Sequence, residues 1–214
     1  MDKKMPAAKI THTPEDEPYL GLESLFHVDN VIISCLEANA KIAPYTHTFN
    51  SKSDLQIAMS QIIPQAISIA LSIRELVRQG YLYGAFVLIR PLAERSVIAL
   101  FLSENYKYKN RYAVDIWKNG WKYNERPSLQ NMIDVISKNT FPGVTKLWNS
   151  LTHGDPDSSI WNMIWLDDGN VGYSVSKIID DPAMCDRICY ETLSWLVATL
   201  GIMTKVFSEV NISI

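Results

Sequence analysis

Three cysteines in 214 residues are too few, and odd in number, for a disulfide framework. Cys185 and Cys189 stand four apart with no histidine nearby, so they read as buried thiols sharing a helix face rather than as a zinc site. No metal or cofactor is expected. Positive charge is not in excess: 20 Lys and Arg against 23 Asp and Glu leave a formal net charge of −3. This excludes a molecule that is basic throughout, though not one with a local basic patch. The first residues, Met1-Asp-Lys-Lys-Met-Pro-Ala-Ala-Lys9, carry no apolar stretch of a secretory signal. No uncharged apolar run of about 18 residues stands out. From these absences we expect cytoplasmic residence and no membrane partner. There is no internal repeat and no low-complexity tract.

The composition that remains, 47% hydrophobic and 10% aromatic, is ordinary for a globular chain and ample for a core. Residues 1–20 hold three prolines and a charged stretch, Pro14-Glu-Asp-Glu-Pro18, and are expected to form a flexible N-terminal arm. Residues 21–214 are expected to form one helical domain. Apolar residues recur at helical spacing from Leu22 to about Ile42. A second helix follows Ser51-Lys-Ser53-Asp, a source of N-caps, and runs to Gln79 with Gly80 beyond it. Pro64 should kink or split it. A third spans about 81–105. Shorter helices are predicted over 128–138 and from Pro142 to His153-Gly154, where Asp155-Pro156 is a stop. Two β-prone runs flank Asp168-Gly169, a hairpin signal. A last long helix opens at Asp180-Asp-Pro182 and ends near Val210. The expected fold is mainly α: an antiparallel helical bundle with one small β-hairpin before the last helix.

Two features carry chemistry. Arg90 and Glu94 point the same way from an otherwise apolar helix, with Phe86, Val97 and Phe101 around them. Buried charges are costly unless paired, so the two are expected to be mostly buried, in mutual contact, and answered by a third group, for which His153 is the candidate. The alternative is a structural ion pair that fixes helix packing. His153 falls at a predicted helix C-terminus, where the dipole favours a cation, with Asn149 and Lys146 one and two turns earlier. A histidine beside an amide suits phosphate binding or proton transfer. The alternative is a capping histidine. Residues 105–126 set six basic residues against two acidic ones, interleaved with Tyr and Trp. Lys109, Arg111, Lys118 and Lys122 there are candidate RNA-binding residues. The alternative is an amphipathic helix with its aromatics in the core.

Leu88-Ile-Arg-Pro-Leu-Ala-Glu94 followed by Asn149-Ser-Leu-Thr-His-Gly154 resembles a group of bacterial helical proteins related to HEPN-type bundles, over about residues 55–205. The resemblance implies a metal-independent ribonuclease, usually a homodimer with its site in the dimer cleft, of the kind found in toxin–antitoxin and phage-defence systems. His153 matches the family's motif histidine, and Asn149 the polar residue before it. The motif arginine is missing from 146–148, where Lys146 stands at the limit of the spacing. Either Arg90, from another helix, supplies the guanidinium, with Glu94 to orient it, or the site is not a nuclease. The alternative function is a catalytically degenerate bundle acting as a protein-interaction module; a small-molecule sensor lined by the same residues is a third. Abundant Trp, Tyr and Met could anchor a homodimer interface.

Overall fold

A computed structural model describes residues 17–46, 52–122, 125–137, 144–153, 156, 158–159, 163–165, 168–173 and 177–212. The long helices are α1 (Glu23–Thr46), α2 (Asp54–Arg78), α3 (Leu82–Ser103) and α7 (Pro182–Val206). Between α3 and α7 come β1 (Lys107–Tyr108), β2 (Arg111–Tyr112), α4 (Ala113–Lys118), α5 (Leu129–Ile136), α6 (Val144–His153), β3 (Met163–Trp165) and β4 (Val171–Tyr173). The protein is mainly α, a helical bundle with a small antiparallel hairpin before its last helix.

Two of the long helices, α2 and α7, begin or end at residues that cap them. Ser53 and Gln56 form a reciprocal cap at the start of α2: Ser53 Oγ accepts from Gln56 N at 3.2 Å, and Gln56 Oε1 accepts from Ser53 N at 3.0 Å. Its end is closed by Gly80 at φ +84°, with Tyr81 N donating to Leu76 O at 2.8 Å and Gly80 N to Val77 O at 2.9 Å. A Cβ on Gly80 would stand 3.0 Å from Pro18 Cγ, so both the turn and the packing call for glycine. Pro64 does not split α2, contrary to one of the two outcomes expected. It lies on the exposed face, where the carbonyl it leaves unbonded can reach water. Asp181 caps α7 by accepting from Met184 N at 2.9 Å, with Pro182 in the first turn.

Side-chain bridges set the helix directions. Asp29 of α1 meets Arg74 near the end of α2, so these two run antiparallel. The three residues between α2 and α3 impose the same on that pair. Gln56 at the start of α2 reaches Val206 O at the end of α7, antiparallel again. Ser24 bonds Asp186 and Cys35 contacts Leu196 O, so α1 and α7 run the same way. Arg187 lies over the Phe86 ring and Lys205 bonds Glu104, so α3 and α7 also run the same way. The long excursion from 104 to 181 allows this: it returns the chain to the end of the bundle from which α3 started.

The core lies where α2, α3 and α7 meet, filled by residues such as Met59, Ile63, Phe86, Ile89, Phe101, Ile188, Leu196 and Met203. It contains one polar seam, in which Ser96 Oγ lies 2.9 Å from Thr199 Oγ1 and donates to a backbone carbonyl of α3 or α7. All three cysteines are free and buried. Burial pushes the Cys35 thiol up to about 11. Cys185 and Cys189 do share a face of α7; Cys185 is pushed up by its hydrogen bond with Cys189 and by burial.

Most of the expected arm lies outside the described residues, but its last four residues are docked. Tyr19 is 2% exposed, and its hydroxyl donates to Ile178 O at 2.9 Å and accepts from Asp181 N at 3.1 Å. Glu17 pairs with Arg78 at 2.7 Å. Among the described residues α2 is long and apolar enough to cross a membrane by length and composition, which the search for apolar runs did not flag. Half of that window is buried inside the bundle, as in a core helix.

The hairpin near Asp168-Gly169 forms with Met163 opposite Tyr173 and Trp165 opposite Val171. A second hairpin, β1–β2, was not anticipated. Its turn residues, Lys109 and Asn110, sit at φ +47° and +63°, a type I′ geometry reached without glycine. Residues 107–118 are therefore not one amphipathic helix: they form a hairpin followed by the short α4.

Candidate functional site

The site forms where the last residue of α6 meets the first half of α3. Alpha6 is amphipathic. Trp148 and Leu151 face the core, with the Trp148 ring edge-on to Trp195 of α7 at 5.9 Å. Lys146, Asn149 and His153, at spacings of three and four, form its exposed stripe. Core packing of α6 thus presents this stripe to solvent and carries His153 to Arg90. Arg90 Nη1 lies 3.3 Å from His153 Nε2. Guanidinium only donates, so this contact requires an imidazole with its proton on Nδ1 and its lone pair on Nε2.

The expected burial of Arg90 and Glu94 is not what the structure shows. Both are half-buried, with the Glu94 side chain 29% exposed. They do not form an ion pair. Glu94 lies 3.6 Å from Arg95, whose Nε donates to Gln65 Oε1 of α2 at 3.0 Å. Among the described residues, Ile133 and Ile136 of α5 meet this face of α3 at Val97 and Leu100, beyond Glu94, while Arg90 and Glu94 keep part of their surface in solvent. The predicted third partner is present, but it answers Arg90 alone. Glu94 is not placed to orient the guanidinium.

Among the described residues no carboxylate lies within ion-pair distance of Arg90. Its guanidinium meets, among the described residues, a ring nitrogen of His153 and leaves further N–H donors for another acceptor. Asn149 is exposed one turn before His153. Two other polar atoms on α6, Trp148 Nε1 and Ser150 Oγ, are buried without a hydrogen-bond partner.

The four basic candidates are not equivalent. Lys109 is exposed, with Nζ 5.3 Å over the Tyr108 ring. Lys122 is exposed. Arg111 is tied to Glu125 at 2.9 Å, which holds that carboxyl below the usual range, and Lys118 is tied to Asp54 at 2.9 Å. Two of the four charges are thus answered within the chain. Sequence reading passed over Lys107, which lies 4.5 Å over the Tyr112 ring. That contact depends on the Lys107–Tyr112 register of the unanticipated hairpin. Among the described residues no group of three or more His, Cys, Asp or Glu could hold a metal ion.

Residues 56–122 match the model of a family of unknown function, DUF5677. The match covers α2, α3, the β1–β2 hairpin and α4, and so includes Arg90 and Glu94 but not His153. No curated protein and no solved structure matches the chain.

Proposed function

We propose that the protein binds RNA and cleaves it without a metal ion, using Arg90 and His153. The observation that carries this reading is the Arg90–His153 contact at 3.3 Å, made on the surface with no carboxylate of the described residues to neutralise the guanidinium. A cation held beside a basic ring nitrogen is the pair that phosphodiester cleavage by a neighbouring hydroxyl requires. In this mechanism the incoming phosphate draws the Arg90 guanidinium off Nε2, the RNA 2′-hydroxyl attacks the adjacent phosphorus, and its proton passes to the freed lone pair of His153 Nε2. Arg90 stabilises the extra negative charge on the non-bridging oxygens. The bond from phosphorus to the 5′-oxygen breaks, and that oxygen takes a proton from the imidazolium. The products are a 2′,3′-cyclic phosphate and a 5′-hydroxyl. Asn149, exposed one turn before His153, holds the phosphate in this mechanism.

The resemblance to HEPN-type bundles supports the same chemistry, with the guanidinium supplied by α3 instead of α6, and it supports a homodimer. The reading is tested with purified protein, RNA and excess chelator. Cyclic-phosphate ends, and resistance of a strand with a 2′-deoxy sugar at the cut site, are the expected outcome. A requirement for a divalent ion, or cleavage of the deoxy site, would overturn it.

A different observation favours the interaction-module reading. Phe26, Ile33 and Leu36 of α1 and Leu71 of α2 are exposed in a row beside the Asp29–Arg74 pair. If no RNA is bound or cut, this apolar row becomes the leading candidate for function.

A further inference from the structure

A cleavage site needs a strand delivered to it, and the surface beside Arg90–His153 has a direction. Alpha6 runs from the hairpin end of the bundle toward Arg90. Its first turn is tied to α5 by Thr145 Oγ1 donating to Gln130 Oε1. The next residue of α5, Asn131, donates through Nδ2 to Tyr108 Oη of β1 at 3.2 Å. The β1–β2 register puts Tyr108 and Arg111 on one face of the hairpin, and Lys107 and Tyr112 on the other. The Tyr108 face is therefore the one turned to α5, and Lys109 lies over that ring. Lys109, Asn131, Lys146, Asn149 and His153 are all exposed along this connected series. Among the described residues neither lysine has a carboxylate within ion-pair distance.

We propose that this series is a strand-binding track: Lys146 and Lys109 hold backbone phosphates of the RNA on one side of the scissile bond, and Asn131 and Asn149 donate to the same backbone. The inference rests on the RNA reading above. Lys146 lies seven residues from His153, about 10 Å along a helix axis. That distance corresponds to roughly three nucleotides of a stacked strand at about 3.4 Å each. Lys109 lies farther out, past α5. Asp134, which accepts from Gln130 Nε2 at 2.7 Å, sits beside the track and opposes it.

The track is tested by binding a strand with a 2′-deoxy sugar at the cut site, so that affinity is read without turnover. Lys146→Ala and Lys109→Ala should each weaken binding several-fold and lower the slope of log affinity against log salt by about 0.7, the value for one phosphate contact on a single strand. On a cleavable strand both should raise KM far more than they lower kcat. Asp134→Asn should act in the opposite sense and tighten binding. Trimming the strand to about two nucleotides on the track side should erase the difference between wild type and Lys146→Ala. Salt slopes and KM values equal to wild type in both lysine variants, with cleavage still abolished by His153→Ala, would overturn the track and leave the RNA reading standing. Absence of any RNA binding or cleavage by the wild-type protein would overturn both.

Discussion

Arg74 and Arg90 sit on neighbouring helices, both half-buried, and meet different partners. Arg74 makes a two-pronged contact with Asp29, Nε at 2.7 Å and Nη2 at 3.0 Å. The hydrogen bond to Asp29 raises the Arg74 guanidinium above its usual range. One turn on, Arg78 is matched by Glu75 at 2.6 Å and Glu17 at 2.7 Å. This network closes on itself and pins α1, α2 and the docked end of the arm. Arg90 faces a ring nitrogen of His153, while the nearby Glu94 pairs with Arg95. A cation matched with carboxylates has its electrostatics satisfied by the fold. A cation left facing an imidazole on the surface is available to an anion from outside. The two arginines hardly differ in burial; they differ in whether a carboxylate of the described residues answers them.

The largest effect should come from the platform beneath the site. Trp148 is 2% exposed and packs α6 against α7. Trp148→Ala should cost about 3–5 kcal/mol in urea unfolding. Trp148→Phe should cost much less, because it removes a buried donor that has no partner here. Equal losses in the two variants would show that α6 does not hold the site through this ring.

The next effect tests the two arginines directly. Asp29→Ala strands a two-pronged guanidinium contact and should cost about 2 kcal/mol. Arg90→Ala removes no ion pair and should stay within about 0.5–1 kcal/mol of wild type. A loss from Arg90→Ala as large as that from Asp29→Ala would make Arg90 a structural residue.

A smaller effect is expected with acid. Hydrogen bonds from Arg78 and then Gln79 hold the Glu75 carboxyl below its ordinary value of 4.5. A lowered carboxyl contributes stability that is complete above the unfolded value and is lost as pH falls through the folded one. The bundle should therefore lose this contribution on acidification below about 4.5. Glu75→Gln should flatten that part of the stability profile, read from unfolding midpoints between mildly and strongly acid buffers. The smallest effect concerns RNA affinity. Lys118 is answered by Asp54, so Lys118→Ala should weaken binding less than Lys109→Ala.

The helices were legible because their signals are local: the Ser53–Gln56 cap, Gly80, Asp181-Pro182 and the apolar stripes between them. The hairpin at Asp168-Gly169 was legible for the same reason. The β1–β2 hairpin was not, because Lys109-Asn110 takes positive φ without glycine. The approach of His153 to Arg90 was anticipated from chemistry: a charge on an apolar helix needs an answer. The failure of Glu94 to provide that answer was hidden, since a helix period shows which way a side chain points but not how far a covering helix extends. Whether α5 meets α3 at Val97 or nearer Arg90 depends on tertiary packing. The direction of α7, parallel to α1 and α3, depends likewise on the path of the long excursion and on no local residue.

The most direct measurement is the cleavage rate of RNA in excess chelator for wild type, Arg90→Ala, His153→Ala and Asp29→Ala, each with its unfolding midpoint. Arg90→Ala should lose about 100-fold or more in rate, as expected on removing a donor to a developing oxyanion. His153→Ala should abolish cleavage, and both should unfold close to wild type. Asp29→Ala should be less stable yet still cleave where it is folded. Wild-type rates in Arg90→Ala or His153→Ala would contradict the account, as would a loss of activity that merely tracks stability across the three variants.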